Sequence, residues 1–276
     1  MTVAAVINVG LDLLFVAVFG WGVAGAAVAT VIAQGFSALY CLMVLRKIPD
    51  IRLEKQDFYR QPAMSLRLLK VATPLAIQNV IISVGGLTVQ YVVNGFGFLF
   101  VAGFTASNKL YGVLEMAAVS YGYAITTYVG QNLGAKKIGR IKKGYHAALV
   151  LDICFAVLAF IVIETLHTHI SSLFLGKDGT ALAYQVSGDY MKWLGYFFIF
   201  MGIKMATDGV LRGLGIMRPF LIANMVNLAI RLSVALICAP RFGIEFVWLA
   251  VPAGWFANFL ISYVALRKSW PVEKVD

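Results

Sequence analysis

Charge is scarce in this sequence, and acidic charge scarcest: 13 Asp and Glu stand beside 23 Lys and Arg among 276 residues. Charged residues make up 13% of the chain, against about 25% in a soluble globular domain, so most of the surface cannot face water. Cysteine and histidine number three each. Cys41, Cys154 and Cys238 lie inside apolar runs and read as small packing residues, which argues against a disulfide framework. His167 and His169 share one short connection and are too few to make a metal site. The sequence has no Gly-x4-Gly-Lys-Ser/Thr loop, no His-Glu-x-x-His and no Gly-x-Ser-x-Gly. ATP use, zinc chemistry and serine hydrolysis therefore have no residues to stand on, and no catalytic residues are assigned. The net charge of +10 is spread over separate connections rather than one face, which argues against nucleic acid as a partner.

What fills the chain is apolar: 61% of residues are hydrophobic. A helix needs about 20 apolar residues to cross a ~30 Å hydrocarbon core. The runs near 1–18, 23–46, 68–94, 99–130, 142–165, 184–211, 218–239 and 245–266 approach or exceed that length. They do not alternate in polarity, so they are not barrel strands. The expected fold class is all-α, a polytopic transmembrane bundle of about eight spans embedded in a lipid bilayer.

The connections alternate sharply in charge. Those at 46–70, 136–143, 212–218 and 267–276 hold 17 of the 23 Lys and Arg, while the opposite set holds Lys177 and Arg241. By the positive-inside rule the first set is cytoplasmic. This predicts a multi-pass protein of the cell membrane with both termini inside.

The first and last pairs of spans also resemble each other. Asn8 to Lys47 and Asn227 to Lys268 each begin with Asn, turn at an aromatic–Gly pair (Phe19-Gly20, Phe242-Gly243) and close on Leu-Arg-Lys. Parallel repeats of this kind are a transporter architecture. Under this reading, residues 1–47 are the last two helices of an incomplete N-terminal lobe. Residues 48–65 are a cytoplasmic linker, 66–268 a complete six-helix lobe, and 269–276 a cytoplasmic tail. About four further helices are expected to be encoded ahead of Met1.

The segments LLKVATPLAIQNVIISVGGLTVQYVVNGFG and VAGFTASNKLYGVLEMAAVSYGYAITTYVGQNLGAKKIGRIKKG resemble the opening of a lobe in multidrug and toxic-compound extrusion (MATE) transporters. VLRGLGIMRP is similar to that family's link between the fourth and fifth helices of a lobe, and NVGLDLLF with GVAGAAVATVIAQ to its fifth and sixth. The resemblance covers helices five to twelve. It implies two six-helix lobes facing a central cleft and export of organic cations and other amphipathic compounds. The energy source would be a proton or sodium gradient, with no cofactor. Two departures bear on the coupling ion. Ile82 and Met201 stand where sodium-linked members carry acidic residues.

Charges inside a span cost about 2.5–3.5 kcal/mol on insertion scales and are functional candidates by default. Gln78, Gln90 and Asn94, 12 and 4 residues apart, are expected to turn toward one side of the third span and line a polar cleft. The competing reading is plain interhelical hydrogen bonding. Gly85-Gly86 between them would loosen that helix. Glu115 is the deepest carboxylate, in the apolar setting VLEMAA with Asn108 and Lys109 up to two turns before it. It is the candidate for proton coupling, and the alternative is an acid that only ties helices together. Lys204, Asp208 and Arg212 are spaced i, i+4, i+8 and predict an ion ladder at the membrane boundary. Asp12 and Arg231 occupy equivalent repeat positions with opposite sign, and Asp152 reads as a packing residue. Gly25, Ala29, Ala33 and Ser37 form a small-residue stripe for close helix contact.

The leading expectation is thus a cation-coupled antiporter for drugs or other amphipathic organic compounds. The rivals are a lipid-linked saccharide flippase of related fold and a membrane fragment without transport activity.

Overall fold

The computed structural model describes residues 2–49, 59, 61–176 and 179–270. Among them the chain is all-α. Eight helices run α1 (Thr2–Val18), α2 (Gly22–Leu45), α3 (Pro62–Gly95), α4 (Phe98–Gly134), α5 (Ile138–Leu175), α6 (Ala181–Gly213), α7 (Met217–Phe242) and α8 (Glu245–Lys268). All eight expected apolar runs are helices, with most ends shifted by a few residues. The largest extensions are at α3, which starts within the expected linker, and at the C-terminal end of α5. Most of the 48–65 linker and of the 269–276 tail lies outside the described residues.

Six helices are long and apolar enough to cross a bilayer, namely α2, α3, α5, α6, α7 and α8. α1 is apolar but shorter. α4 runs 37 residues and is more polar, with Asn108, Lys109 and Glu115 along it. Packing rather than hydropathy explains it, since nine of its residues, Gly103 to Asn132, are buried.

The chain divides into two compact units, Met1–Met64 and Ser65–Asp276. In the smaller unit α1 packs on α2. The buried residues of α2 are Gly25, Ala29 and Ala33, three of the four in the expected stripe, with Ser37 half-buried. Asn8 Nδ2 donates to Thr30 Oγ1 of α2 at 3.4 Å.

In the larger unit α6 is the axis. It packs against α4, α5, α7 and α8, and 20 of its residues are buried. Thr180 caps its start, accepting from the Ala183 N–H at 3.3 Å. One apolar core, centred on Phe198, Tyr190 and Trp248, fills the end where α6 begins. A second, around Val210, Phe220 and Ile141, fills the end where α6 finishes. The side chains facing away are large and apolar: Val80, Leu87, Val150, Leu173 and Leu260 are all exposed. That outward surface is suited to hydrocarbon rather than water.

The two repeat copies fold alike within their own units. Each aromatic–Gly turn puts its glycine at positive φ, 69° at Gly20 and 108° at Gly243, where a Cβ would be strained. Each first helix also loosens into a π turn, Leu13–Val18 in α1 and Val234–Cys238 in α7.

Candidate functional site

Between the two apolar cores of the larger unit lies a polar interior. Lys204 and Asp208 sit one turn apart on α6, 3% and 0% exposed, with Lys204 Nζ 3.3 Å from Asp208 Oδ2. Ser262 of α8 donates to Asp208 Oδ1 at 2.7 Å. Asn224 Nδ2 of α7 donates to Asp208 Oδ2 at 3.4 Å and to the Phe220 carbonyl at 2.8 Å. Gln78 of α3 in turn donates to Asn224 Oδ1 at 3.4 Å. Three helices thus meet at one carboxylate, and Gln78 of α3 is linked to it through Asn224. A buried ion pair is tolerated only when further hydrogen bonds satisfy it, and the Asp208 oxygens receive them.

Beside this network is a narrow cavity lined by Tyr111 and Glu115 of α4, Lys204 of α6, Asn227 and Arg231 of α7, and apolar neighbours. Its room is about 20 Å³, enough for about one water molecule. Glu115 is half-buried and faces two cations, Lys204 and Arg231, from two other helices. Leu114 and Met116, beside it on α4, are apolar, and the charge facing Glu115 comes from α6 and α7. Ile82 and Met201 also line this cavity. Both positions, where the resemblance implies acidic residues in sodium-linked members, are uncharged and apolar here. Among the described residues no cluster of three His, Cys, Asp or Glu could hold a metal ion.

Arg231 reaches the cavity because α3 lacks a side chain opposite it. A Cβ built on Gly85 would stand 3.1 Å from Arg231 Nη1. Gly85 accommodates the guanidinium, and α3 continues through Gly85-Gly86 without a break. The Arg231 Nε is buried without a hydrogen-bond partner among the described residues.

Gln78, Glu115, Lys204 and Asp208 are thus brought together. Gln90, Asn94 and Asn108 are not. Gln90 and Asn94 satisfy each other, Gln90 Nε2 donating to Asn94 Oδ1 at 2.8 Å, and Asn94 is exposed. The expected shared side with Gln78 fails because 16 residues at 100° each leave Gln78 and Asn94 about 160° apart. Asn108 accepts from the Tyr190 hydroxyl at 3.4 Å, at the edge of the apolar core. The ion ladder on α6 stops after its first step. Arg212 points at aromatic faces instead, 4.9 Å from the Tyr123 ring centroid and 5.8 Å from that of Phe220. Lys204 does not reach for the interface, because Asp208 holds it inside. Asp152 is buried against Gly202 with both carboxylate oxygens unpartnered.

The residues the sequence did not group are Tyr111, Asn224, Asn227 and Ser262, together with Arg231, noted before only as a repeat counterpart. A signal existed: 224, 227 and 231 are spaced i, i+3, i+7, one face of a helix.

Comparison with known proteins agrees with this architecture. The MatE family model matches residues 74–237. The "Probable multidrug resistance protein YpnP" of Bacillus subtilis (strain 168) is 30% identical over 227 residues, 81% of this chain and 49% of that protein. The "Probable multidrug resistance protein NorM" of Thermotoga maritima is 27% identical over 260 residues, covering 90% and 54%. The solved structure of the Vibrio cholerae MATE transporter VcmN superposes with a TM-score of 0.85 at 22% identity, covering 96% of this chain and 61% of that one. The chain spans about half to three-fifths of the length of these proteins. With a family model matched over more than half its residues, this multi-pass membrane chain belongs to the MatE family, the multidrug and toxic-compound extrusion transporters.

Proposed function

We propose that the chain forms part of a multidrug exporter that exchanges amphipathic organic compounds for protons, with Glu115 as the residue that takes up and releases the proton. The carrying observation is the cavity itself: one carboxylate facing Lys204 and Arg231 in room for about one water molecule. Such a space takes a proton but no organic substrate, so it serves coupling and the drug binds elsewhere. Sodium is disfavoured there by two resident cations and by the hydrocarbon of Ile82 and Met201. When water enters the cavity, the ionised carboxylate is stabilised and drawn toward Arg231. When the cavity dries, a proton on Glu115 removes the cost of a charge in low dielectric. Wet and dry states of the cavity thus alternate with the charge on Glu115.

The rival flippase reading calls for a roomy cavity with several cations for a pyrophosphate. Here Lys204 is already paired with Asp208, and Arg231 is the other cation lining the space. That does not favour it.

The test is Glu115→Gln, which keeps size and most hydrogen bonding but abolishes titration. The transporter, expressed from its complete gene, is reconstituted in proteoliposomes and drug-driven proton movement is recorded. Loss of proton movement at normal protein level is the expected result. Normal coupling in the Gln variant removes Glu115 from the mechanism. Absence of any drug uptake by the unsubstituted protein points instead to a chain without transport activity.

A further inference from the structure

At the opposite end of the larger unit from the Glu245 end of α8, a second cavity of about 340 Å³ opens between the start of α5 and the finish of α8. It is lined by Lys142, Tyr145, His146, Tyr263, Arg267 and Trp270, with Leu266 between them. Two of these carry a full positive charge, a third is an imidazole, and among the described residues no carboxylate lines the space. Its floor is built rather than incidental. Tyr145 is buried, shares a 2.9 Å hydrogen bond with Thr207 of α6, and lies 6.3 Å from the Trp270 ring, which fixes the aromatic wall. Lys142 and Arg267 are exposed and have no ion-pair partner among the described residues.

Above the cavity the surroundings turn to hydrocarbon. On α5 the exposed residues that follow are Val150, Ile153 and Val157, and on α8, going back along the chain, Leu260 and Phe256. Both helices pack on α6. Their exposed apolar faces therefore lead away from a cationic, aromatic pocket. A soluble anion would use the charges and leave these faces idle. A molecule with a phosphate head and acyl tails uses both. Basic pockets between helix ends recognise anionic headgroups, and Tyr and Trp settle at that depth.

We propose that this cavity is a binding site for an anionic phospholipid, its phosphodiester held by Lys142, His146 and Arg267 and its acyl chains lying along α5 and α8. The site is separate from the Glu115 cavity and does not depend on how transport is coupled.

The experiment is a lipid competition. The chain is placed in nanodiscs containing phosphatidylcholine and phosphatidylglycerol in equal amounts. Lipids retained after transfer to detergent are then counted by native mass spectrometry. Preferential retention of phosphatidylglycerol is expected. Retention should fall about fivefold for each charge removed in Lys142→Gln and Arg267→Gln. Both side chains are exposed, so neither change disturbs packing. Lys136→Gln and Lys137→Gln, at the same end of the molecule but outside the cavity, are the charge-matched control. Equal retention of the two lipids, or an unchanged preference in the Lys142 and Arg267 variants, overturns the site. So does an equal loss in the control, which would show general surface charge. Displacement of phosphatidylglycerol by millimolar glycerol 3-phosphate would assign the pocket to a soluble phosphate and overturn the lipid reading.

Discussion

Asp208 draws three side chains together in the interior, taking contacts from Lys204, Ser262 and Asn224. Removing one partner of a buried pair leaves the other charge uncompensated, at a cost of about 3–5 kcal/mol. Asp208→Ala should therefore lower the thermal unfolding midpoint in detergent sharply, while Lys204→Met combined with Asp208→Leu should recover most of the loss. A double variant as unstable as the single would show that the unpaired ammonium is not the cause. Gln78, Glu115, Lys204 and Asp208 were legible in the sequence because a polar group in an apolar run is costly wherever it sits. Gln90 and Asn94 stand apart from that group for a local reason, since amides four residues apart on one helix can satisfy each other. Arg231 and Asn227 gain their meaning only from what α3 and α4 place opposite them, and no single span carries that information.

Helices are where the sequence spoke most clearly, for span length and apolarity are properties of one segment at a time. α4 is the exception by hydropathy: Ser107 and Asn132 are buried and Asn108 and Glu115 half-buried, while Lys109 stays exposed. The contact of α4 with α6 depends on small residues: a Cβ on Gly209 would run into the Ile125 side chain and stand 2.6 Å from the Gly122 carbonyl. Gly209→Ala should push the two helices apart and cost about 1–3 kcal/mol, read as a lower unfolding midpoint. Gly86→Ala is the contrast. No heavy atom lies within 4 Å of its added carbon, and alanine is the better helix former by about 1 kcal/mol, so stability should hold or rise. Equal loss at both positions would mean that helix flexibility rather than close approach is what the glycines provide.

For the whole molecule, the distribution of basic residues makes the strongest statement, and it concerns orientation. α4 and α5 are 37 and 38 residues long, about 55 Å each at 1.5 Å per residue, well beyond a ~30 Å hydrocarbon core. Their shared connection around Lys136 should therefore stand clear of the hydrocarbon. Topology can be read directly in a variant without the native cysteines. Lys136→Cys should resist an impermeant thiol reagent added outside intact cells, and Ser172→Cys should react. The reverse pattern would overturn the cytoplasmic placement of the basic connections.

The π turns of α1 and α7 change the aim of everything that follows them. One begins five residues after Asn8 and the other seven after Asn227, in segments whose side chains otherwise have little in common. A π turn packs an extra residue into the helix and rotates everything beyond it by about 100°. Side chains beyond each turn therefore aim where an unbroken α-helix would not send them, and both helices use this device although Asp12 stands one residue before the first turn and Arg231 three residues before the second.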